Sequence, residues 1–299
     1  MHLKTLGVVH FFFIFAIKSC SSLNNELEDI CDCNCDLEID VVKQFGTQLE
    51  SLQELAGQIQ AENFSLENKR KSQSLPINCI QAAAGSFKSG IYTIKYQRFG
   101  DEPFKVWCDE DTEFGGWIVI QRRVSADVDF YRDWQQYKQG FGNLSGNYWI
   151  GLDKLHALTA SCEQELYIKM EKFDGRKYYA KYDLFVIGSE KEDYVLRTVG
   201  AYKGNAKDYF KPHEGKKFTT FDRDNDASPD GNCAESCRGA WWYHNCYWSN
   251  LNGDYSQKDN VQGVIWNGIQ MYESLKFAQM MIRPTERCMN RLSVKNCPL

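Results

Sequence analysis

A short apolar segment at the N-terminus indicates the compartment in which this chain folds, and the compartment determines whether its cysteines can form disulfides. Residues 6–17 are almost entirely apolar, follow a lysine and precede the small residues Ser19 and Ser21. This arrangement is typical of a secretory signal peptide, with cleavage expected after Ser21. The alternative is a signal anchor, but spanning a bilayer takes about 20 apolar residues and this run is shorter. We therefore expect a secreted, extracellular protein with a signal peptide over residues 1–21 and no membrane insertion.

Secretion changes how the 12 cysteines are interpreted. In an oxidising compartment cysteines form disulfides by default, whereas zinc sites and redox motifs are typical of reducing compartments. Cleavage would remove Cys20 and leave an odd number, so at least one thiol is expected to be free or shared between chains. The same compartment makes the two Asn-x-Ser sequons, at Asn63 and Asn143, candidate glycosylation sites.

The composition excludes several classes of protein. With 43% hydrophobic and 14% aromatic residues, the chain can bury a sizeable core and is not disordered. A formal net charge of −5 argues against a nucleic acid partner, because binding through a general basic surface needs excess lysine and arginine. A length of 299 residues suits one large domain with accessory segments.

Residues 22–41 form an acidic segment that contains Cys31, Cys33 and Cys35. Cysteines spaced by one residue cannot easily pair with one another, so geometry favours interchain disulfides. A metal site is the alternative, and the oxidising compartment argues against it.

Residues 42–66 carry the pattern of a coiled-coil stalk. Alternating steps of three and four place these residues at the a and d positions of a heptad. The positions are Val42, Phe45, Leu49, Leu52, Ala56, Ile59, Asn63 and Leu66. We expect the helix to join copies into a homo-oligomer; the alternative is an amphipathic helix packed on its own domain. A glycan on Asn63 cannot occupy the seam, so either that sequon is unused or the coil ends before it.

From residue 79 to about residue 284 the composition is uniform, with aromatic and β-branched runs between Gly, Asn and Asp turns. The strand-like runs are 117–120, 165–170 and 178–187, and the helix-like runs are 130–137 and 152–158. No linker interrupts this stretch, so we predict one α+β domain over residues 79–284 with a loop-rich half. A polar linker is predicted before it, over residues 67–78, and a C-terminal tail after it, over residues 285–299.

Nine short phrases of this domain, taken in chain order, carry a family resemblance. They are SGIYTI at 89–94, FKVWCD at 104–109, GGWIVIQRR at 115–123, DFYRDW at 129–134, YWIGLD at 148–153, FTTFDRDND at 218–226, NCA at 232–234, GAWWY at 239–243 and SNLNG at 249–253. Together they resemble the fibrinogen C-terminal domain family, and most closely its ficolin-type and invertebrate secreted members. The resemblance implies an α+β fold with a central antiparallel sheet, short helices and a loop-rich subdomain that binds calcium and ligand.

The resemblance also implies two disulfides, because the family has one early in the domain and one near its binding face. The matching pairs are Cys79 with Cys108 and Cys233 with Cys246. Outside this framework lie Cys162, Cys237, Cys288 and Cys297. These four are expected to form up to two further bridges, whose pairing the sequence leaves open.

An acidic loop at residues 222–226 carries the candidate metal site. Alternating carboxylates can converge on one hard cation, because calcium takes about 6 to 8 oxygen ligands. The loop is not an EF-hand, since Ala227 stands where that motif needs glycine. By resemblance the Ca2+ ligands are the side chains of Asp224 and Asp226 and backbone oxygens near Ser228 and Asp230. Without the resemblance, such a turn is more often a solvated loop. Asp222 is expected to order the turn.

Beside that loop the resemblance implies a ligand-binding face. Its residues are Trp241, Trp242, Tyr243, Asn245, Cys246 and Tyr247. In the family a cis peptide precedes the second cysteine and aims backbone N–H groups at the ligand. Here those groups are the amides of Cys246 and Tyr247, which would donate to an acetyl carbonyl or an anion while aromatic walls cover a methyl or sugar face. The alternative places the tryptophan pair in the core, and we expect at least one of the two to be buried.

Three departures from the acetyl-binding members bear on specificity. Tyr247 stands where they usually carry histidine, and Cys237 stands where several carry a pocket-wall tyrosine. The loop over residues 255–263 is shorter than usual. A binding face at this location is therefore a firmer expectation than its preference for acetyl groups.

No catalytic constellation accompanies this face. Cys233, Cys237, His244 and Cys246 superficially resemble a zinc ligand set, but the implied disulfide and the secretory route argue against one. The sequence contains no phosphate loop, serine-nucleophile motif or metalloprotease helix. We therefore expect a binding protein and not an enzyme.

The sequence thus predicts a secreted, oligomeric, lectin-like pattern-recognition molecule of innate immunity that binds acetylated surface glycans near a calcium site. The alternative is a signalling ligand or matrix protein of the angiopoietin or tenascin kind, which would bind a cell-surface protein through the same face. The altered residues Tyr247 and Cys237 favour the alternative, and the ficolin-like overall pattern favours the first hypothesis.

Overall fold

The computed structural model describes residues 35–73, 75–96, 102–258 and 260–295. The predicted signal peptide, Cys31, Cys33 and Cys297 lie outside these ranges. The chain divides into two compact units, Met1–Ser74 and Leu75–Leu299. No helix among the described residues is long and apolar enough to cross a membrane.

The described part of the first unit is one helix, α1, at Cys35–Gln73. It extends beyond the predicted stalk at both ends, and the prediction of a linker was wrong for residues 67–73. Those residues are rich in Lys, Arg, Glu and Gln, which favour helix, and the first proline after them is Pro76. The large apolar side chains of α1 that are exposed are Phe45, Leu49, Leu52, Leu55, Ile59 and Phe64. Pairing of this helix with a second copy stays a prediction.

The second unit is built on an antiparallel sheet, as predicted. Its strands are β1 Gly90–Ile94, β2 Phe104–Asp109, β3 Trp117–Arg123, β4 Phe141–Gly142, β5 Tyr148–Trp149, β6 Gln164–Glu171, β7 Lys177–Ile187, β8 Leu196–Val199, β9 Tyr202–Gly204 and β12 Phe277–Pro284. A small second sheet pairs β10 Ser249–Asn250 with β11 Ile265–Trp266. The main sheet has the order β1-β2-β3-β12-β6-β7-β8, so the last strand of the chain lies at its centre, between β3 and β6. The α+β fold is confirmed.

Short helices complete the unit. They are α2 Cys79–Ala82, α3 Trp134–Gln139, α4 Leu152–Ser161, α5 Cys233–Ser236 and α6 Glu286–Lys295, with 3-10 turns at Glu190–Glu192 and Lys211–His213. The predicted helix over 130–137 starts four residues late because Asp133 caps α3, its side chain accepting the N–H of Gln136 at 2.8 Å. Helix α6 occupies most of the segment that we predicted to be a polar tail.

Three disulfides join these elements. The pairs Cys79–Cys108 and Cys233–Cys246 are confirmed. A third bridge, Cys162–Cys288, ties the end of α4 to α6. Of the described cysteines in this unit, Cys237 is the free thiol, and it is buried.

Candidate functional site

The acidic loop is ordered by its first aspartate. The Asp222 carboxylate accepts the N–H of Trp134 at 2.9 Å and the hydroxyl of Thr220 at 2.7 Å. These two bonds hold the start of the loop against α3. Asp222 therefore orders the turn, as expected.

Asp226 is the most enclosed carboxylate of the loop. Its Oδ1 accepts the N–H of Ser228 at 2.8 Å, and its Oδ2 accepts the N–H of Cys233 at 2.9 Å. The Asp224 carboxylate lies close by and accepts the N–H of Asp226 at 3.2 Å. Burial, and to a smaller extent the charge of Asp224, raises the pKa of Asp226 above its ordinary value although these N–H groups oppose the rise.

In the part of the chain that the structure describes, neither Asp224 nor Asp226 forms an ion pair with lysine or arginine. Two neighbouring carboxylates of this kind are an electrostatic setting in which a cation would be stabilising. Among the residues that the structure describes, no three His, Cys, Asp or Glu side chains converge as a ligand set. A calcium ion here would therefore need backbone oxygens besides Asp224 and Asp226. The carbonyls predicted at Ser228 and Asp230 remain the candidates.

Three aromatic residues that we assigned to the ligand face are in the core instead. Trp241, Trp242 and Tyr243 are all buried. The Trp242 indole donates to the carbonyl of Tyr194 at 2.8 Å, and the Tyr243 hydroxyl donates to the side chain of Asn250 at 2.8 Å. Their side chains cannot touch a ligand, so the assignment of these three was wrong. The expectation that at least one tryptophan is buried is confirmed.

The segment that reaches the surface begins at Asn245, which is exposed. The peptide bond between Asn245 and Cys246 is cis, as predicted. The carbonyl of His244 accepts the N–H of Ala227 at 3.0 Å, which fixes this segment beside the acidic loop. Neither the N–H of Cys246 nor that of Tyr247 is donated to any residue in the described ranges. The structure thus brings two unpaired backbone donors next to the Asp224–Asp226 pair.

The side chain of Tyr247 turns away from these donors. Its hydroxyl donates to the carbonyl of Val261 at 2.6 Å and so fastens the 255–263 loop. Burial raises the pKa of Tyr247 above its ordinary value, which keeps the phenol protonated. Trp248, which we did not assign to the face, is 38% exposed and is the aromatic surface beside it.

The buried His213 lies under this segment and has hydrogen-bond partners that no sequence pattern predicted. His213 places Nδ1 at 2.8 Å from the carbonyl of Trp242, while Nε2 accepts the N–H groups of Trp248 at 3.3 Å and Ser249 at 3.1 Å. Burial lowers the pKa of His213 to about 4, so the ring is neutral and carries its proton on Nδ1. No spacing in the sequence links His213 to residues about 30 positions away.

Side chains of β3 hold the stretch of chain that follows β10. The buried guanidinium of Arg123 donates to the carbonyls of Leu251 at 3.1 Å and Gly253 at 2.6 Å. Gln121 donates to the Leu251 carbonyl at 2.8 Å. Burial lowers the pKa of Arg123 to about 10, and its Cζ atom lies over the Phe130 ring, 3.8 Å from the ring centre. These hydrogen bonds tie residues 251–253 to the main sheet.

The thiol of Cys237 is not a reactive group. Burial raises its pKa to about 12, so the thiolate is scarce at neutral pH. Its backbone carbonyl accepts the side-chain amide of Asn250 at 3.3 Å. Cys237 thus fills the wall behind the face, and the exposed side of the site is formed by Asn245, Cys246, Tyr247 and Trp248.

Both sequons lie on accessible backbone. Asn143 is exposed in a turn closed by its own N–H, which donates to the carbonyl of Asn147 at 2.8 Å. Asn63 is exposed on α1. Glycosylation at either asparagine stays a prediction.

A family model described as fibrinogen beta and gamma chains, C-terminal globular domain, matches residues 75–285. Fibrinogen C domain-containing protein 1 of Mus musculus is 44% identical over 212 residues, which is 67% of this chain and 45% of that protein. Tenascin-R of Gallus gallus is 42% identical over 212 residues, 70% of this chain and 15% of that protein. The chain thus matches less than half the length of these curated relatives.

Solved structures are similar over the same region. The fibrinogen-like globe domain of human ANGPTL2 matches with a TM-score of 0.67 at 44% identity, covering 70% of this chain and 99% of that domain. A lamprey fibrin D-dimer complexed with the peptide ligand Gly-His-Arg-Pro-amide matches with a TM-score of 0.64 at 28% identity, covering 83% of this chain and 92% of that one.

Proposed function

This chain belongs to the fibrinogen C-terminal domain family, and from that premise we propose that it is a secreted, non-catalytic protein that binds an extracellular ligand. The ligand would lie on the surface formed by Asn245, Cys246, Tyr247 and Trp248. Copies would be joined through α1 and through interchain disulfides of the preceding cysteines. Joining weakly binding heads raises their effective concentration at a surface that carries many ligands.

One observation carries this proposal: the N–H groups of Cys246 and Tyr247 have no partner within the described ranges. Backbone donors that lie unpaired in a fixed segment are suited to a carbonyl or carboxylate oxygen of a ligand. The Cys233–Cys246 bridge and the Ala227–His244 hydrogen bond hold the segment in place. A rigid donor pair loses little conformational freedom when it binds.

We propose a cell-surface or matrix protein as the ligand. Tenascin-R and the ANGPTL2 globe domain, both over 40% identical, are the relatives that favour it. The lamprey relative was solved with a peptide ligand, which is also a chain of backbone carbonyls. Because Trp241, Trp242 and Tyr243 are buried, the face lacks the aromatic walls that would enclose a small acetyl group.

A lectin for acetylated glycans is the second candidate. Two adjacent N–H donors suit the carbonyl of an N-acetyl group as well as a peptide carbonyl, and Trp248 offers an exposed ring beside them. Innate immune recognition would follow from this candidate.

Calcium is proposed as the cofactor of the adjoining loop. The support is the pair of carboxylates at Asp224 and Asp226, where burial, and to a smaller extent the charge of Asp224, raises the pKa of Asp226. Bound there, the ion would supply the missing countercharge and stiffen the loop to which His244 is bonded. Asp224 and Asp226 would supply side-chain oxygens, with carbonyl oxygens near Ser228 and Asp230.

Labelled full chain on cultured cells tests the proposal. We expect saturable binding that trypsin treatment of the cells removes and N-acetylglucosamine leaves unchanged. The variant Asn245→Arg, which adds a bulky charge to the face, should weaken binding at least tenfold, about 1.4 kcal/mol. The control Ala84→Arg adds the same charge at another exposed position and should bind as wild type.

Three other outcomes are informative. Binding that survives trypsin and is displaced by N-acetylglucosamine selects the lectin. Equal loss of binding in both arginine variants would assign the effect to charge and contradict the proposed face. Failure to bind both cells and immobilised N-acetylglucosamine overturns the proposed function.

A further inference from the structure

The two edge strands of the main sheet differ in whether another segment of the chain forms backbone hydrogen bonds with their outer side. At one edge, β8 is covered by its own chain: Leu196 donates its N–H to the carbonyl of Lys216 at 2.9 Å, and Gly215 donates to the carbonyl of Leu196 at 2.7 Å. At the other edge, β1 pairs with β2 alone. Natural sheets usually protect an edge with a covering segment, proline, lysine or a bulge, because an open edge pairs with other chains. Within Gly90–Ile94 none of these devices is present.

The direction of the open groups follows from the end of the strand. Lys95, which follows β1, donates its N–H to the carbonyl of Pro76 at 2.9 Å and thus away from β2. Since backbone groups alternate along a strand, the N–H and C=O groups of Ile91 and Thr93 point the same way. Both residues are exposed, and no strand of the described part pairs with this edge. The side chain of Phe87, just before the strand, is 77% exposed.

We propose that β1 is an interface between two copies of this chain, in which it pairs antiparallel with β1 of the second copy around a two-fold axis at Tyr92. In that register Ile91 lies opposite Thr93 of the other copy, and each such pair exchanges both N–H···O=C bonds. A two-fold contact requires one surface to complement itself, and a short strand with open donors and acceptors does so. The exposed side chain of Ile91 becomes covered in the same step.

A second copy is the occupant because of where the edge lies along the chain. Pro76, which contacts Lys95, follows Gln73, the last residue of α1, by three positions. Assembly through α1 therefore raises the local concentration of β1 edges in the same particle. This step rests on the proposed assembly through α1, but the two claims have separate measurements.

Hydrogen exchange of the full chain, resolved to single amides, tests the interface. We expect the N–H groups of Ile91 and Thr93 to exchange at least about tenfold more slowly than in an unpaired strand. The variant Thr93→Pro removes one outward donor, which edge strands tolerate, and should release Ile91 to fast exchange. Thr93→Val keeps the donor and should retain the protection. In all three proteins the amide of Tyr92, paired to β2, should stay protected and so report an intact fold.

The mass of the full chain in sedimentation, measured beside its hydrogen exchange, distinguishes assembly through α1 from pairing of the β1 edges. An oligomer in which Ile91 and Thr93 exchange freely overturns the β1 interface and leaves the stalk in place. A monomer with freely exchanging amides overturns both. An oligomer whose Ile91 protection survives Thr93→Pro also overturns the interface, because that protection would then come from within one copy.

Discussion

His213 shows how one buried side chain fixes the backbone that carries the candidate site. Its neutral ring donates to Trp242 and accepts from Trp248 and Ser249, so it joins the core tryptophan to the segment after Tyr247. Protonation would place a second N–H where two backbone N–H groups already point. The same bonds that position the segment therefore make the domain sensitive to acid.

We predict that the free energy of unfolding falls as pH drops from 6.5 toward 4, by about 3 kcal/mol from His213. In this window the unfolded chain binds a proton at an ordinary histidine pKa, whereas folded His213, with a pKa of about 4, does not. Urea denaturation at several pH values measures the slope. His213→Gln should lower the slope, because it removes the buried group that binds a proton only when the chain unfolds. Equal slopes in wild type and His213→Gln would contradict the prediction.

Calcium binding is tested at the aspartates. We predict that calcium at about a hundred times its Kd stabilises wild type by about 3 kcal/mol, and that Asp226→Asn abolishes this gain. Without calcium, Asp226→Asn should itself cost about 1–3 kcal/mol, because the amide can accept only one of the two N–H groups that Oδ1 and Oδ2 accept. Thermal unfolding with and without EDTA measures both. Asp230→Asn is the control, since only the carbonyl of that residue is a proposed ligand; an equal loss in both variants would argue against the assigned ligands.

At the residue scale the sequence predicted covalent partners better than exposure. Cys79–Cys108 and Cys233–Cys246 followed from family positions, and both are present. The burial of Trp241 and Trp242 could not be predicted in this way. The residues that contact them, such as Tyr194 and His213, are distant in sequence. A run of aromatics fits a binding wall and a core equally well.

The predicted pairing of α1 through its apolar a and d positions can be tested with a single substitution. We predict that Leu52→Asp, at a seam position, weakens association more than tenfold, about 1.4 kcal/mol, because it places a charge in the interface. Leu55→Asp introduces the same charge outside the a and d positions and should leave the mass of the oligomer unchanged. Sedimentation equilibrium would be done with Cys31, Cys33 and Cys35 replaced by Ser, so that disulfides cannot hold the copies together. Equal masses for the two variants would contradict the seam.

The third disulfide, which fastens α6 to the end of α4, should contribute strongly to stability. The Cys162–Cys288 bridge joins residues 126 positions apart, and closing such a loop stabilises by about 5 kcal/mol in the chain-entropy model. We predict that Cys162→Ser combined with Cys288→Ser lowers the free energy of unfolding by several kcal/mol, on the order of that figure. Cys237→Ala, at the buried free thiol, should cost less. Urea unfolding without reductant measures both, and a double variant as stable as wild type would contradict the account.

The elements themselves were only partly predictable. Period-2 runs identified the cores of β3, β6 and β7, because those strands have aromatic and β-branched side chains. The linker prediction was wrong for residues 67–73 because polarity does not distinguish a solvated helix from a loop. The central place of β12 could not be predicted from local pattern, since its partners β3 and β6 lie more than a hundred residues earlier.

For the molecule as a whole, the sequence motifs located the domain within a few residues. The predicted range of 79–284 compares with 75–285 in the family match. The ligand was not predictable, because the family shares a scaffold while the exposed part of this face is only a few residues around Cys246 and Tyr247. His213 and the Cys233–Cys246 disulfide position the segment that carries the amides of Cys246 and Tyr247, so these donors keep their place whatever side chains surround them.

We propose above all that the amides of Cys246 and Tyr247 bind an oxygen of the ligand beside the acidic loop. NMR of the 15N-labelled full chain during titration with sodium acetate, a minimal carboxylate probe, tests it most directly. We predict saturable shifts of these two amide resonances, larger with calcium than with EDTA, and none at Ala227, whose N–H is already donated to His244. Resonances of Cys246 and Tyr247 that stay in place throughout the titration would contradict the account.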